Sequence, residues 1–214
     1  MIIAFDLDGT ISDPIVGVSN SLNYALKKLD YPEREPSDLK KYIGPPLKDI
    51  FADLFGDENH KFIQPAIAYF RERYFSKGYR ENTLYHGVME MLHGLTADAH
   101  KLYIATNKKT SVAKAVADMF NISGYFEEIL GCGLKREKYE LLNEIKDKEA
   151  AERLIMIGDR SYDMIAGKKC SCFCIGVLWG YGSREELFDS GAAAYCSRPE
   201  KIKETIENFS IQSI

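Results

Sequence analysis

Asp6-Leu7-Asp8-Gly9-Thr10 places two carboxylates two residues apart at the end of an apolar run. On a strand, residues spaced by two face the same way, so both acids can serve one site. Gly9 lets the chain turn sharply and leaves backbone groups open to a ligand. Two acids this close repel unless a cation or a shared proton relieves them. A second acidic string, Gly158-Asp159-Arg160-Ser161-Tyr162-Asp163, closes another apolar run. Its two acids lie four residues apart, one turn of a helix. Thr106-Asn107 ends a third run, and Lys135, Arg136 and Lys138 form a basic cluster ahead of a helical pattern. Acids gathered this way suit a hard divalent cation, and magnesium fits carboxylate and water ligands. A lysine and a hydroxyl beside them would hold an anion, with phosphate the expected one.

The elements that must bring these residues together are readable from apolar periodicity. Buried strands are expected at Ile2–Leu7, Lys101–Ala105, Arg153–Ile157 and Cys172–Val177, with a weaker one at Tyr125–Leu130. Helical patterns over Thr110–Phe120, Lys138–Lys146, Tyr162–Lys169 and Pro199–Phe209 separate or follow them. Strands alternating with helices predict an α/β fold, a Rossmann-like core with a parallel sheet covered on both faces. In such sheets ligands bind beyond the carboxyl ends of the strands, where every motif above falls.

Residues 15–85 interrupt the alternation. Val16–Leu29, Leu47–Phe55 and Phe62–Phe75 carry helical spacing, and no strand is read between them. Pro65 is expected to delay the start of the last helix by a few residues. An all-helical domain inserted after the first strand is therefore expected at 15–85, with the α/β core made of 1–14 and 86–214. The insert is nearly neutral, with 11 basic and 10 acidic residues. Because it cannot join the sheet, and leaves the chain beside the end of the first strand, it is expected to cover the site.

Composition sets the outer bounds. The chain has 214 residues, 28 Lys plus Arg against 32 Asp plus Glu, and a net charge of −4, so a partner held by phosphate neutralisation, nucleic acid above all, is not expected. Hydrophobic residues at 45% and charged residues at 28% match an ordinary globular protein. No apolar run approaches the ~20 residues that span a bilayer, so no membrane partner is expected. The opening Met-Ile-Ile-Ala-Phe-Asp lacks a basic stretch and meets an acid at residue 6, unlike a signal peptide. Five cysteines, an odd number, point to a reduced, cytoplasmic chain. Cys170, Cys172 and Cys174 read as packed strand cysteines rather than a metal cluster, since the four histidines supply no partner set.

Taken together, the motifs resemble the haloacid dehalogenase superfamily of phosphatases, in the branch with a helical cap after the first strand. Within it the chain is similar to phosphoglycolate phosphatase-like and nucleotidase-like members. The resemblance spans nearly the whole chain: acid motif at 6–10, cap at 15–85, hydroxyl motif at 106–107, lysine motif near 138 and second acid motif at 158–163. It implies a magnesium-dependent phosphoric monoester hydrolase acting on a small phosphomonoester. Asp6 would be the nucleophile and Asp8 the general acid and base. Magnesium would be held by Asp6, Asp159 and the backbone carbonyl of Asp8. Asp163 would orient a metal-bound water or pair with the lysine, with Gly9, Thr10 and Gly158 in support. Thr106, Asn107 and Lys138 would bind the phosphate. Many relatives carry the lysine in Gly-Lys-Pro, which is missing here; Arg136-Glu137-Lys138 resembles another form, so Lys138 is favoured and Lys135 is the alternative.

The aspartate at position 8 argues against a true dehalogenase, which needs no second acid. A phosphomutase shares the core, but no histidine falls in the early insert to act as its acid or base. A module that only holds a metal would be favoured by loss of Asp6 or Asp8, and both are present. Ile43-Gly44-Pro45-Pro46-Leu47 resembles a substrate-facing cap loop. Gly176 to Gly182 reads as a tight glycine-rich strand exit near the mouth of the site, without the Gly-x-Gly-x-x-Gly of a dinucleotide fold.

Overall fold

Ile2–Phe5 is short and apolar on both faces, with Ile3, Ala4 and Phe5 fully buried. Such a run suits the middle of a parallel sheet, where both faces are covered. The computed structural model describes residues 1–133 and 136–212. In it this strand is central to a six-stranded parallel sheet. The order is Phe126–Gly131, Lys101–Thr106, Ile2–Phe5, Leu154–Gly158, Phe173–Val177 and Ala194–Cys196. Numbered along the chain, this is the doubly wound order 3-2-1-4-5-6, whose direction switches beside the first strand. Phe5 is in register with Ile104 on one side and Ile157 on the other.

The chain divides into two compact units: Met1–Asp13 with Leu84–Ile214, and Pro14–Thr83. In the first, Ala4, Tyr103, Met156 and Cys174 form one sheet face. They share a core with Leu141, Leu142 and Ile145 of helix Lys138–Glu149 and Met164 of helix Ser161–Lys169. Helix Lys138–Glu149 opens with a capping box: the Glu137 carboxylate accepts from the Glu140 N–H, and Glu140 accepts from the Glu137 N–H at 2.7 Å. That cap fixes Lys138 as the first helical residue.

The strands and helices read from periodicity are present, with ends moved by a few residues. Elements not anticipated include helices Pro36–Leu39, Val88–Ala97 and Arg184–Asp189, the edge strand Ala194–Cys196, and the two-residue strands Ser12–Asp13 and Thr83–Leu84, the last inside the stretch expected to be all helical. Pro65 does not delay its helix, which starts at Ile63. In the first turn proline forfeits no helical hydrogen bond, because that N–H has no partner one turn back. Of the three clustered cysteines only Cys174 lies in a strand; Cys170 caps a helix and Cys172 precedes the strand. Burial pushes the Cys172 and Cys174 thiols up to about 12, so they act as packing groups. Among the described residues no helix is long and apolar enough to cross a membrane.

The second unit is built on helices Ile15–Lys28, Leu47–Phe55 and Ile63–Ser76. Two-residue strands, Ser12–Asp13 and Thr83–Leu84, stand where this stretch begins and ends. The first and third helices pack through Val18, Leu22, Ala25, Ala66, Ile67, Phe70 and Tyr74, all buried. Arg73 donates twice to Glu81, at 2.8 and 2.9 Å. Gly17 allows the closest approach: a Cβ there would lie 2.0 Å from the Gly78 carbonyl oxygen. Gly17→Ala must push backbone apart and is expected to cost about 1–3 kcal/mol, the usual range for overpacking, read as a lower urea midpoint.

Candidate active site

Beyond Phe5 the chain continues in strand geometry for one residue, with the Asp6 N–H donating to the Ile157 carbonyl at 2.9 Å. It then turns at Gly9, whose φ is +84°. An added Cβ at Gly9 would lie 2.1 Å from Asp159 Oδ2, so this position needs glycine for both its conformation and its contact. The neighbouring strand ends one residue before Asp159, and helix Ser161–Lys169 then carries Asp163 back toward the strand end. Gly158 permits that return, since a Cβ there would sit 2.2 Å from Asp163 Cγ.

Three carboxylates, Asp6, Asp159 and Asp163, place ligand oxygens within 4.8 Å of one another, and all three residues are buried. Lys138 reaches into the group and donates to Asp6 Oδ1 at 2.8 Å and to Asp163 Oδ1 at 2.5 Å. Asp163 Oδ2 also accepts from the Arg160 N–H at 3.0 Å. Asp159 Oδ1 accepts from the Thr10 hydroxyl at 3.2 Å and Oδ2 from the Tyr181 N–H at 2.8 Å. Burial, followed by the charges of Asp163 and Asp6, holds Asp159 well above the usual carboxylate range. Burial raises Asp163 to about 6, with Lys138 opposing and Asp6 adding. For Lys138 burial favours the neutral amine, but Asp163 and Asp6 outweigh it and its pKa is raised.

This group fits a divalent cation. One ammonium faces three buried carboxylates, which leaves the ionised cluster two negative charges in excess. Oxygen donors of this kind and number match a hard metal. Asp8 stands apart from the cluster. Its Oδ2 accepts from the Lys108 ammonium, and its Oδ1 is buried without a hydrogen-bond partner. Burial raises its pKa, Lys108 opposes and Asp6 adds.

Thr106 ends strand Lys101–Thr106 with its side chain buried, and its hydroxyl accepts from the Lys108 N–H at 3.3 Å. Asn107 follows it, half-buried. Lys135 lies outside the described residues. The glycine-rich exit is packed on the site: Cβ atoms at Gly180 and Gly182 would lie 2.3 Å from Asp159 Cβ and 2.0 Å from the Asp159 carbonyl oxygen. The Trp179 indole N–H donates to the Thr10 carbonyl at 3.0 Å, and the Tyr181 hydroxyl donates to Asp13. Sequence reasoning did not single out Lys108, although it directly follows the Thr106-Asn107 pair.

Residues 3–177 match the model of the haloacid dehalogenase-like hydrolases, and the chain belongs to that family. A 5'-nucleotidase of Pseudomonas aeruginosa is 35% identical over 96% of this chain and 95% of its own. A phosphoglycolate phosphatase of Aquifex aeolicus is 29% identical, with 99% of each chain covered. A crystal structure of a predicted phosphatase from Clostridium acetobutylicum superposes with a TM-score of 0.90 at 33% identity, covering 97% of this chain and 98% of that one. The class these features define is that of a phosphoric monoester hydrolase.

Removing the shared cation tests the electrostatics. Lys138→Met leaves Asp6 and Asp163 buried without their ammonium. At pH 8 in excess chelator it is expected to lower unfolding free energy by about 3–5 kcal/mol, the usual cost of breaking a buried pair. Urea denaturation followed by circular dichroism measures it.

Proposed function

We propose that this enzyme is a magnesium-dependent phosphatase that hydrolyses a small phosphomonoester through an aspartyl-phosphate on Asp6. The observation that carries the reading is the contrast between two neighbouring carboxylates. Asp6 lies in the acid cluster on Lys138, while Asp8 lies outside it with a raised pKa and an unpartnered oxygen. Neighbouring carboxylates in different surroundings suit different roles, one as nucleophile and one as proton carrier.

In the first step an Asp6 oxygen bonds to phosphorus and the bond to the leaving oxygen breaks. Protonated Asp8 gives its proton to that oxygen, so an alcohol departs and Asp8 becomes a carboxylate. In the second step Asp8 takes a proton from water as the water oxygen bonds to phosphorus. The bond to Asp6 breaks, inorganic phosphate leaves, and both acids return to their starting forms. A carboxylate nucleophile thus divides one displacement into two easier ones. Thr106, the Asn107 backbone and Lys138 are assigned to the phosphoryl oxygens. Magnesium would be held by Asp6, Asp159 and the Asp8 backbone carbonyl, supplying charge neutralisation at the phosphoryl group. Asp163 keeps Lys138 aimed at Asp6.

The Pro14–Thr83 unit is the proposed cap domain, the part that selects the substrate. The phosphoglycolate phosphatase relative supports a small acid phosphoester. The nucleotidase relative keeps nucleoside 5'-monophosphates as the second substrate class. The five cysteines, all free, support a cytoplasmic enzyme.

Hydrolysis of p-nitrophenyl phosphate is expected to stop in excess chelator and to return with magnesium, with calcium inhibiting. Full turnover in chelator would rule the metal out. Asp6→Asn is expected to abolish turnover, because an amide is no nucleophile here. Asp8→Asn is expected to lose on the order of 10²–10⁴-fold in kcat, the usual worth of a positioned acid or base, and to let phosphorylated protein accumulate. Near-normal rates in either folded variant would contradict the roles.

A further inference from the structure

Two lysines with little side-chain exposure, Lys138 buried and Lys108 half-buried, stand at this site, and they attend different acids. Lys138, 4% exposed at its side chain, binds Asp6 and Asp163, the side of the phosphoryl group being transferred. Lys108, 11% exposed, binds Asp8, the side of the leaving group. The first has a task in the proposed mechanism and the second has none. We propose that Lys108 is a specificity-determining residue that selects phosphomonoesters whose leaving alcohol carries an anionic group close to the ester oxygen.

The inference rests on the phosphatase reading and narrows its substrate class. To give up its proton, Asp8 must bring one carboxyl oxygen within about 2.6–3.2 Å of the ester oxygen. Oδ1 is buried and has no protein partner, so it is the oxygen left for that role. Oδ2 is occupied by Lys108. The ester oxygen and the Lys108 ammonium are then the two neighbours of a single carboxyl group, roughly 4–6 Å apart by ordinary hydrogen-bond lengths. A carboxylate one carbon beyond the ester oxygen spans that gap. It can accept from an ammonium that has three donors to share. A leaving alcohol with only hydroxyl or apolar groups there offers the ammonium no charge.

Position in the chain supports the same assignment. Lys108 follows Thr106 by two residues, and its backbone N–H is tied to the Thr106 hydroxyl at 3.3 Å. The turn that presents the phosphate-binding hydroxyl therefore also fixes the start of the Lys108 side chain. Whether the anion is a carboxylate or a second phosphate, the ammonium sees the same chemistry, so the test must carry both.

The experiment compares kcat/KM of the wild-type full chain, Lys108→Met and Lys108→Arg on four esters. These are 2-phosphoglycolate, its neutral counterpart 2-hydroxyethyl phosphate, a bisphosphate (1,3-propanediol bisphosphate) and AMP. The wild type should favour at least one anionic ester over 2-hydroxyethyl phosphate. Lys108→Met should lose about 10–100-fold more on that anionic ester than on the neutral one, mainly through KM, as expected for a charged hydrogen bond. Lys108→Arg should restore much of the preference. Residual turnover of 2-hydroxyethyl phosphate by Lys108→Met shows that the variant is folded. Which anionic ester loses more tells carboxylate from phosphate. An equal loss on neutral and anionic esters would overturn the inference and leave Lys108 as a partner of Asp8 alone. A wild-type preference for AMP or 2-hydroxyethyl phosphate would overturn it too, with the phosphatase reading intact. Failure of the wild type on every phosphomonoester would overturn both.

Discussion

Repulsion among buried carboxylates is the constraint to which the rest of the core answers. Asp6, Asp8, Asp159 and Asp163 are each no more than 9% exposed, and they crowd the ends of two adjacent strands. In a medium of low dielectric such charges interact far more strongly than in water. The fold relieves them one oxygen at a time: Lys138 for Asp6 and Asp163, Lys108 for Asp8, Thr10 and the Tyr181 N–H for Asp159, the Arg160 N–H for Asp163. None of these contacts need add net stability, because each ammonium also loses its water on burial. The arrangement is better understood as stability given up to keep oxygen donors dry and aimed.

Close approach is the second condition, and glycine meets it at several points. Gly9 and Gly180 press against the Asp159 side chain, Gly182 against its carbonyl, and Gly158 against Asp163. These contacts leave the acids no room to splay apart and lower their repulsion. The Trp179 indole secures the Gly9 turn through the Thr10 carbonyl. A loop from the fifth strand of the chain order thus holds a turn from the first.

Local patterns carried much of this and long-range pairing carried the rest. The strand bearing Asp6, the helix that begins at Lys138, and the turn at Gly158-Asp159 all follow from apolar runs and helical spacing, so the acids could be assigned to strand ends. Helix Val88–Ala97 was legible in principle: Val88, Met91, Leu92 and Leu95 are its buried residues, at helical spacing. The sequence reading carries no element between the end of the insert at 85 and the strand at Lys101. Pro65 misled because the penalty for proline depends on the helical turn it occupies. Lys108 was invisible for another reason. In sequence it is one of two adjacent lysines before a helix, a pattern shared by countless solvated helix starts, and its partner Asp8 is 100 residues away.

That distance is general to the site. Lys138 lies 132 residues from Asp6, and Thr10 lies 149 from Asp159. Contacts this remote form only when the sheet has assembled, and the strand order determines which residues can make them. Because Ile2–Phe5 is flanked by Lys101–Thr106 and Leu154–Gly158, Asp6 comes level with Gly158, and Thr106 extends past Asp6 on the other side. A hydroxyl stands to one side of the first strand and two acids to the other, with the acid pair of that strand between them. Exchanging any neighbouring strand would keep every motif and destroy the constellation. The chemistry of this chain therefore resides as much in the crossover that returns Leu154–Gly158 to the first strand as in the carboxylates themselves.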